Sequence, residues 1–168
     1  SNDYAYLISA DETSVTERWG KFTRDSNFGI GVTNNAVYVG GHFCFIQGGP
    51  GASEEMTPKL GLDSCTGSRN FNNGVWRTQL AALSLEDGTP LTWNPGSNAF
   101  RGISEITPID RGLLIGHDGD FAAGRRTGAL VFLDFGPDSS DITPPSAVTF
   151  TAPDEGGSIG NPVLISGE

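Results

Sequence analysis

The sequence predicts an all-β chain, and three observations carry that prediction. Apolar residues come in short runs rather than at the three- and four-residue spacing of an amphipathic helix. The runs are bounded by Gly, Asn, Asp and Pro, and the 24 glycines and 10 prolines fall between them as punctuation. A strand–turn–strand unit also occurs twice, the kind of self-similarity that precedes any local motif in importance. A length of 168 residues allows one well-cored domain, or one domain and the start of another.

Strands are expected, in order, at Ala5 to Ser9, Val15 to Trp19, Phe28 to Thr33, Ala36 to Gly40, Thr78 to Ser84, Leu91 to Trp93, Gly102 to Thr107, Gly112 to Gly116, Gly128 to Phe135 and Ala147 to Thr151. The repeat emerges when Phe28-Gly-Ile-Gly-Val-Thr, the turn Asn34-Asn35 and Val37-Tyr-Val-Gly-Gly-His-Phe are set beside a second stretch. That stretch is Arg101-Gly-Ile-Ser-Glu-Ile, the turn Asp110-Arg111 and Leu113-Leu-Ile-Gly-His-Asp-Gly-Asp-Phe. Gln79-Leu-Ala-Ala-Leu-Ser and Gly128-Ala-Leu-Val-Phe-Leu-Asp supply a third strand to each copy, and Trp19 and Trp93 precede the two copies.

The second and third strands lie much farther apart in the first copy, which therefore carries an insertion of about residues 45–76. Cys44 and Cys65 belong to this stretch and are the only two cysteines. With no second pair of sulfurs and no flanking His pair to complete four zinc ligands, a disulfide is the favoured pairing. Such a staple stabilises by about 3 kcal/mol in the chain-entropy estimate and belongs to an oxidising compartment. Beyond residue 135, residues 136–146 read as a Pro- and Ser-rich linker, and 147–168 as two alternating strands too few to form a core alone.

The segments Val37-Tyr-Val-Gly-Gly-His-Phe and Leu80-Ala-Ala-Leu-Ser-Leu-Glu-Asp-Gly-Thr-Pro-Leu-Thr-Trp-Asn-Pro-Gly resemble the β-propeller repeats of large secreted actinobacterial proteins, the delta-sixty repeats. The resemblance covers roughly Val15 to Phe135. It implies a partial propeller of about two four-stranded antiparallel blades over residues 1–135, with Asp87-Gly88 turning between the third and outer strands. Two departures stand out: the cysteine-bearing insertion, and Gly116-His-Asp-Gly-Asp in place of a simple Gly-Gly turn. The stretch from Thr143 through Asp154 is similar to the first strand of the immunoglobulin-like modules that follow such propellers. Because a propeller closes with four to eight blades, the remaining blades are expected from a longer chain or from other subunits.

A net charge of -10 provides no positive stripe for phosphates, so a nucleic-acid partner is not expected. No run of eighteen apolar residues exists to insert in a membrane. The resemblance and the disulfide together point to an extracellular or cell-wall location.

No constellation reads as an active site. His42 and His117, in comparable repeat positions, are expected to cap strand ends through neighbouring backbone groups. Asp118 and Asp120, on a glycine-hinged loop, are hard oxygen donors suited to Ca²⁺, although the twelve-residue loop with its distal Glu is missing. Ser84 to Trp93 resembles the Asp-box turn of sialidase-like propellers, a structural feature. Glu54, Glu55, Asp63 and Asp120 are loop acids without the opposed geometry that glycoside hydrolysis needs. Arg125-Arg126 reads as a solvated hairpin face, and no Gly-x-Ser-x-Gly elbow occurs. Trp76, Phe71, Asn72 and Asn73 have the aromatic-and-amide composition of a sugar-stacking surface, and equally of a loop packed on its blade. The expected function is a non-enzymatic scaffold for adhesion or ligand binding, with a glycan or a surface protein as partner. Two alternatives are an incomplete sugar-processing propeller and an assembly subunit pairing through open sheet edges.

Overall fold

The computed structural model describes residues 3–10, 14–49, 65 and 73–136. The linker at 136–146, except Gly136, and the strands expected in 147–168 lie outside the described residues, as do Glu54, Glu55, Asp63, Phe71 and Asn72. Among the described residues the chain is all strand and turn, without a helix.

Strands β1 (Tyr4–Ala10) and β2 (Val15–Phe22) form a hairpin. Strands β3 (Asn27–Val32), β4 (Ala36–Gly41) and β7 (Leu80–Ser84) make an antiparallel sheet in that spatial order, with the small hairpin β5 (Phe45–Gln47) and β6 (Gly74–Trp76) inserted between β4 and β7. Strands β8 (Ile103–Ile109), β9 (Gly112–His117) and β12 (Leu130–Asp134) make a second such sheet. Its inserted hairpin is β10 (Phe121–Ala122) with β11 (Arg125–Arg126).

The two three-stranded sheets correspond row for row. Ile30, Val39 and Ala81 lie opposite one another as Ile106, Ile115 and Val131 do, and Val32, Val37 and Leu83 as Pro108, Leu113 and Leu133 do. Both first strands carry a bulge in the same row, between Asn27 and Gly29 and between Ile103 and Glu105. This register corrects the sequence alignment of the first strands by three residues, since Ile30 matches Ile106 and not Ile103. It also shows that an excursion between second and third strands belongs to both sheets, only longer in the first.

Among the described residues the two matched sheets have three strands each, where four to a blade are expected. Leu91 to Trp93 is not a strand. Among the described residues the edge of β7 carries an isolated bridge from Leu83 to Pro90, with hydrogen bonds from the Leu91 N–H to the Ala82 carbonyl (2.8 Å) and from the Ser84 N–H to the Thr89 carbonyl (2.9 Å). Proline has no N–H to extend the ladder, and the Leu91 carbonyl accepts from the Arg77 guanidinium instead. No sheet closes on itself among these residues.

The sheets stack face to face in three layers. The β1–β2 hairpin sends Ala5 and Trp19 onto one face of the middle sheet, where Val37, Val39, Ala81 and Leu83 meet them. The opposite face, with Ala36, Tyr38, Leu80 and Ala82, packs on Ile103, Ile106, Leu113 and Ile115 of the third layer. Strand β4 is buried at every position, which explains its continuous apolar run where a one-sided strand alternates. Each fully buried Leu or Ile contributes about 1.5–3 kcal/mol.

Glycines set the approach of the layers. A Cβ on Gly40 would lie 2.5 Å from the Ile103 side chain, and one on Gly31 2.8 Å from Ile106. Their absence forms a notch that seats the two isoleucines. In the first layer, Trp19 donates its indole N–H to the Leu85 carbonyl (3.2 Å) and lies against Gly88. Gly88 has φ +69°, and a Cβ there would lie 2.6 Å from the indole, so the turn needs glycine twice over.

Candidate functional site

The inserted hairpin of the first sheet is the first candidate. Cys44 and Cys65 form a disulfide with their Cα atoms 5.6 Å apart. Both sit in a small buried cluster with Phe45 and Trp76, whose rings meet edge to face at 5.0 Å. Trp76 is only 4 % exposed. A ring so enclosed offers no face to a sugar, while Phe71 and Asn72, expected beside it, lie outside the described residues. Asn73 is half-buried with φ 63°, and its carbonyl accepts from the Gly48 N–H (2.7 Å) across the loop end of the hairpin.

A buried polar segment follows that the sequence analysis missed. Arg77, Thr78 and Gln79 are all almost fully buried. The Arg77 guanidinium donates to the Trp76 carbonyl (2.7 Å), and the Gln79 amide donates to the Ala99 carbonyl (2.6 Å) from a backbone at φ 67°. These side chains tie the loop at residues 91–99 to the end of the middle sheet. A run of Arg-Thr-Gln before an apolar strand carries no signal that distinguishes this from a solvated turn.

The histidines are offset rather than equivalent, since the row containing His117 contains Gly41 in the first sheet. His117 is buried and fully engaged. Its Nδ1 accepts from the Gly119 N–H (3.2 Å), so Nε2 carries the proton toward the Thr127 hydroxyl oxygen (3.3 Å), and that hydroxyl donates to the Gly128 carbonyl. Burial pushes its pKa down, opposed by the nearby Asp118 carboxylate. His42 is half-buried and pairs through Nδ1 with the Asp25 carboxylate (3.1 Å) instead of a backbone group. Burial raises the Asp25 pKa, but the Ser26 N–H and His42 outweigh it and leave the carboxyl below its ordinary value.

Asp118 and Asp120 turn to different partners. Both oxygens of Asp118 accept from the Arg101 N–H (3.0 Å each). Asp120 accepts from the Asn98 amide (2.7 Å) and pairs with Arg126 (3.4 Å), while Asn98 Oδ1 accepts from the Asp120 and Phe121 N–H groups. This lattice fixes the loop between β9 and β10 in shape. Among the described residues no group of three His, Cys, Asp or Glu side chains is placed to hold a metal ion.

A further concavity was not foreseen from the sequence. A cleft of about 510 Å³ lies beside β12, walled by Trp93, Phe132, Phe135, Arg125 and Thr127. Trp93 meets Tyr38 edge to face at 5.2 Å and Phe135 at 6.5 Å, so its ring is braced from behind. Rigid aromatics with an exposed guanidinium can hold a ligand by stacking and hydrogen bonding.

The disulfide is compatible with an extracellular protein, and no helix among the described residues is long and apolar enough to cross a membrane. No family model, no curated protein and no solved structure matches the chain.

Proposed function

We propose that this chain is part of a secreted or cell-surface β-propeller that acts as a non-enzymatic scaffold for adhesion or ligand binding. The observation that carries the reading is the face-to-face stacking of three small antiparallel sheets, two of them matched row for row. Propeller blades are likewise small antiparallel sheets, of four strands each, repeated around an axis. His117, Asp118 and Asp120 hold the loop between β9 and β10 in shape, a structural use that suits a scaffold. The binding surface is then the cleft beside β12 rather than the buried Trp76, and glycans are the ligand class that its aromatic and guanidinium walls fit.

A glycan-array screen of the intact chain tests this. Binding that weakens at least tenfold in Arg125→Ala, an exposed position whose change leaves the fold intact, is the expected result. Turnover of a chromogenic glycoside that disappears in Asp120→Asn would overturn the scaffold reading in favour of an enzyme.

A further inference from the structure

We infer that the cleft beside β12 takes an acidic saccharide, a chain of uronic-acid sugars whose carboxylate is held by Arg125. The inference rests on the glycan reading above and adds the charge of the sugar. Arg125 and Arg126 are neighbours on β11, and successive side chains of a strand point to opposite faces. The hairpin turns through Ala123 and Gly124, with φ 51° and 73°, which sets Arg125 opposite Ala122 and Arg126 opposite Phe121. Arg126 is spent on its own face, 5.4 Å over the Phe121 ring and 3.4 Å from Asp120. Arg125 goes with Ala122 to the cleft wall, exposed and paired with no acid among the described residues.

The one acid of that wall among the described residues, Asp134, is already matched. Its Oδ2 meets Arg111 (2.9 Å) and its Oδ1 accepts from the Gly136 N–H (2.7 Å). The cleft therefore keeps an unmatched positive charge in a chain of net charge -10. A guanidinium holds a planar carboxylate through two parallel N–H donors.

Partners for sugar hydroxyls come from the strand edge. Val131 through Phe135 all line the cleft, and because their side chains alternate between faces, the cleft runs along the edge of β12. The His117 N–H bonds to the Ala129 carbonyl and the Phe135 N–H to the Arg111 carbonyl, so the odd-numbered residues face β9. By alternation Phe132 and Asp134 turn their N–H and C=O groups outward. In the middle sheet the same rows hold Ala82 and Ser84, whose carbonyl and N–H are met by Leu91 and Thr89. No described segment meets them on β12, so they are open to hydroxyls, while Trp93 and Phe132 supply aromatic surface for stacking. Two outward residues span about 7 Å, the reach of one or two sugar rings and too short for the ladder of an added peptide strand.

Paired probes test this: oligomers of galacturonate and of glucuronate, each beside its methyl ester, titrated at low salt against the intact chain by calorimetry. The esters keep the ring and the hydroxyls and lose the charge. At least one acid oligomer should bind wild type about tenfold more tightly than its ester. Arg125→Gln should erase that ratio, Arg125→Lys should restore part of it, and Arg126→Gln on the opposite face should leave it intact, with circular dichroism checking each fold. Equal binding of acid and ester, or a glycan array in which neutral sugars bind and uronates do not, overturns the inference and leaves the glycan reading standing. An array with no hit removes both. A loss in Arg126→Gln as large as in Arg125→Gln also overturns it, since the charge would then act diffusely. Tighter binding of an extended peptide of alternating Val and Glu would replace the saccharide by an added strand.

Discussion

The two three-stranded sheets share strand order, rows and a bulge, yet among the described residues one is covered on both faces and the other on one. The middle sheet has glycine at Gly29, Gly31 and Gly40, where the third layer has Glu105, Thr107 and Gly116. The lesson is that the same backbone ladder serves as interior or as boundary according to which side chains line its trailing face. Glycines admit the next layer, while a carboxylate and a hydroxyl keep that part of the face wet.

The largest contrast should appear on truncating the matched leucines of the third strands. Leu80→Ala removes a fully buried side chain between two layers and is expected to cost about 2–5 kcal/mol. Leu130→Ala, in the same row, should change stability by no more than about 0.5 kcal/mol in dilute urea titrations. Equal losses would erase the distinction between the sheets. Next in size is the disulfide that only the first excursion contains. Replacing Cys44 and Cys65 by Ser should lower stability by about 3 kcal/mol in thermal or urea unfolding. A loss near zero would mean that β5–β6 holds the insertion without the staple.

Smaller, and sharper as a comparison, are the matched glycines of the second strands. Gly40→Ala should cost about 1–3 kcal/mol through overpacking against Ile103. Gly116→Ala, whose new Cβ would come no closer than 3.4 Å to the Glu105 and Ser104 side chains, should be neutral within about 0.5 kcal/mol.

The smallest expected effect is one of pH. Because burial lowers the His117 pKa, the unfolded chain takes up this proton near pH 6.5 while the folded chain does so only at lower pH. In that window the unfolded state binds more protons, so stability falls as pH drops below about 6.5 and levels off beneath the folded value. Unfolding titrations from about pH 7 downward should show this slope in wild type and lose it in His117→Gln.

The long strands were legible because each buries one or two faces over five or more residues, enough for alternation or a continuous apolar run to appear. The hairpins β5–β6 and β10–β11 were not, since strands of two or three residues are too short to show a period. Glycine patterning pairs Gly29-Ile30 with Gly102-Ile103, which is the wrong pair. Turns of equal length, Val32 to Val37 and Pro108 to Leu113, fix the rows instead. The disulfide was legible by elimination among two cysteines. Trp76 was not, as an aromatic among asparagines looks the same whether it faces a ligand or a core. The cleft beside β12 draws Trp93 and Phe135 from distant segments, a juxtaposition that no local pattern announces.

The most direct test of face-to-face stacking is a double-mutant cycle between Gly40→Ala and Ile103→Ala. Truncating Ile103 to Ala removes the nearest atom, its Cγ2 at 2.5 Å, and leaves its Cβ at 2.7 Å, so the clash is relieved in part and the second change should cost less in the Ile103→Ala background, a coupling of about 0.5–3 kcal/mol. Strictly additive losses would contradict the contact between the middle and third layers, and with it the stack.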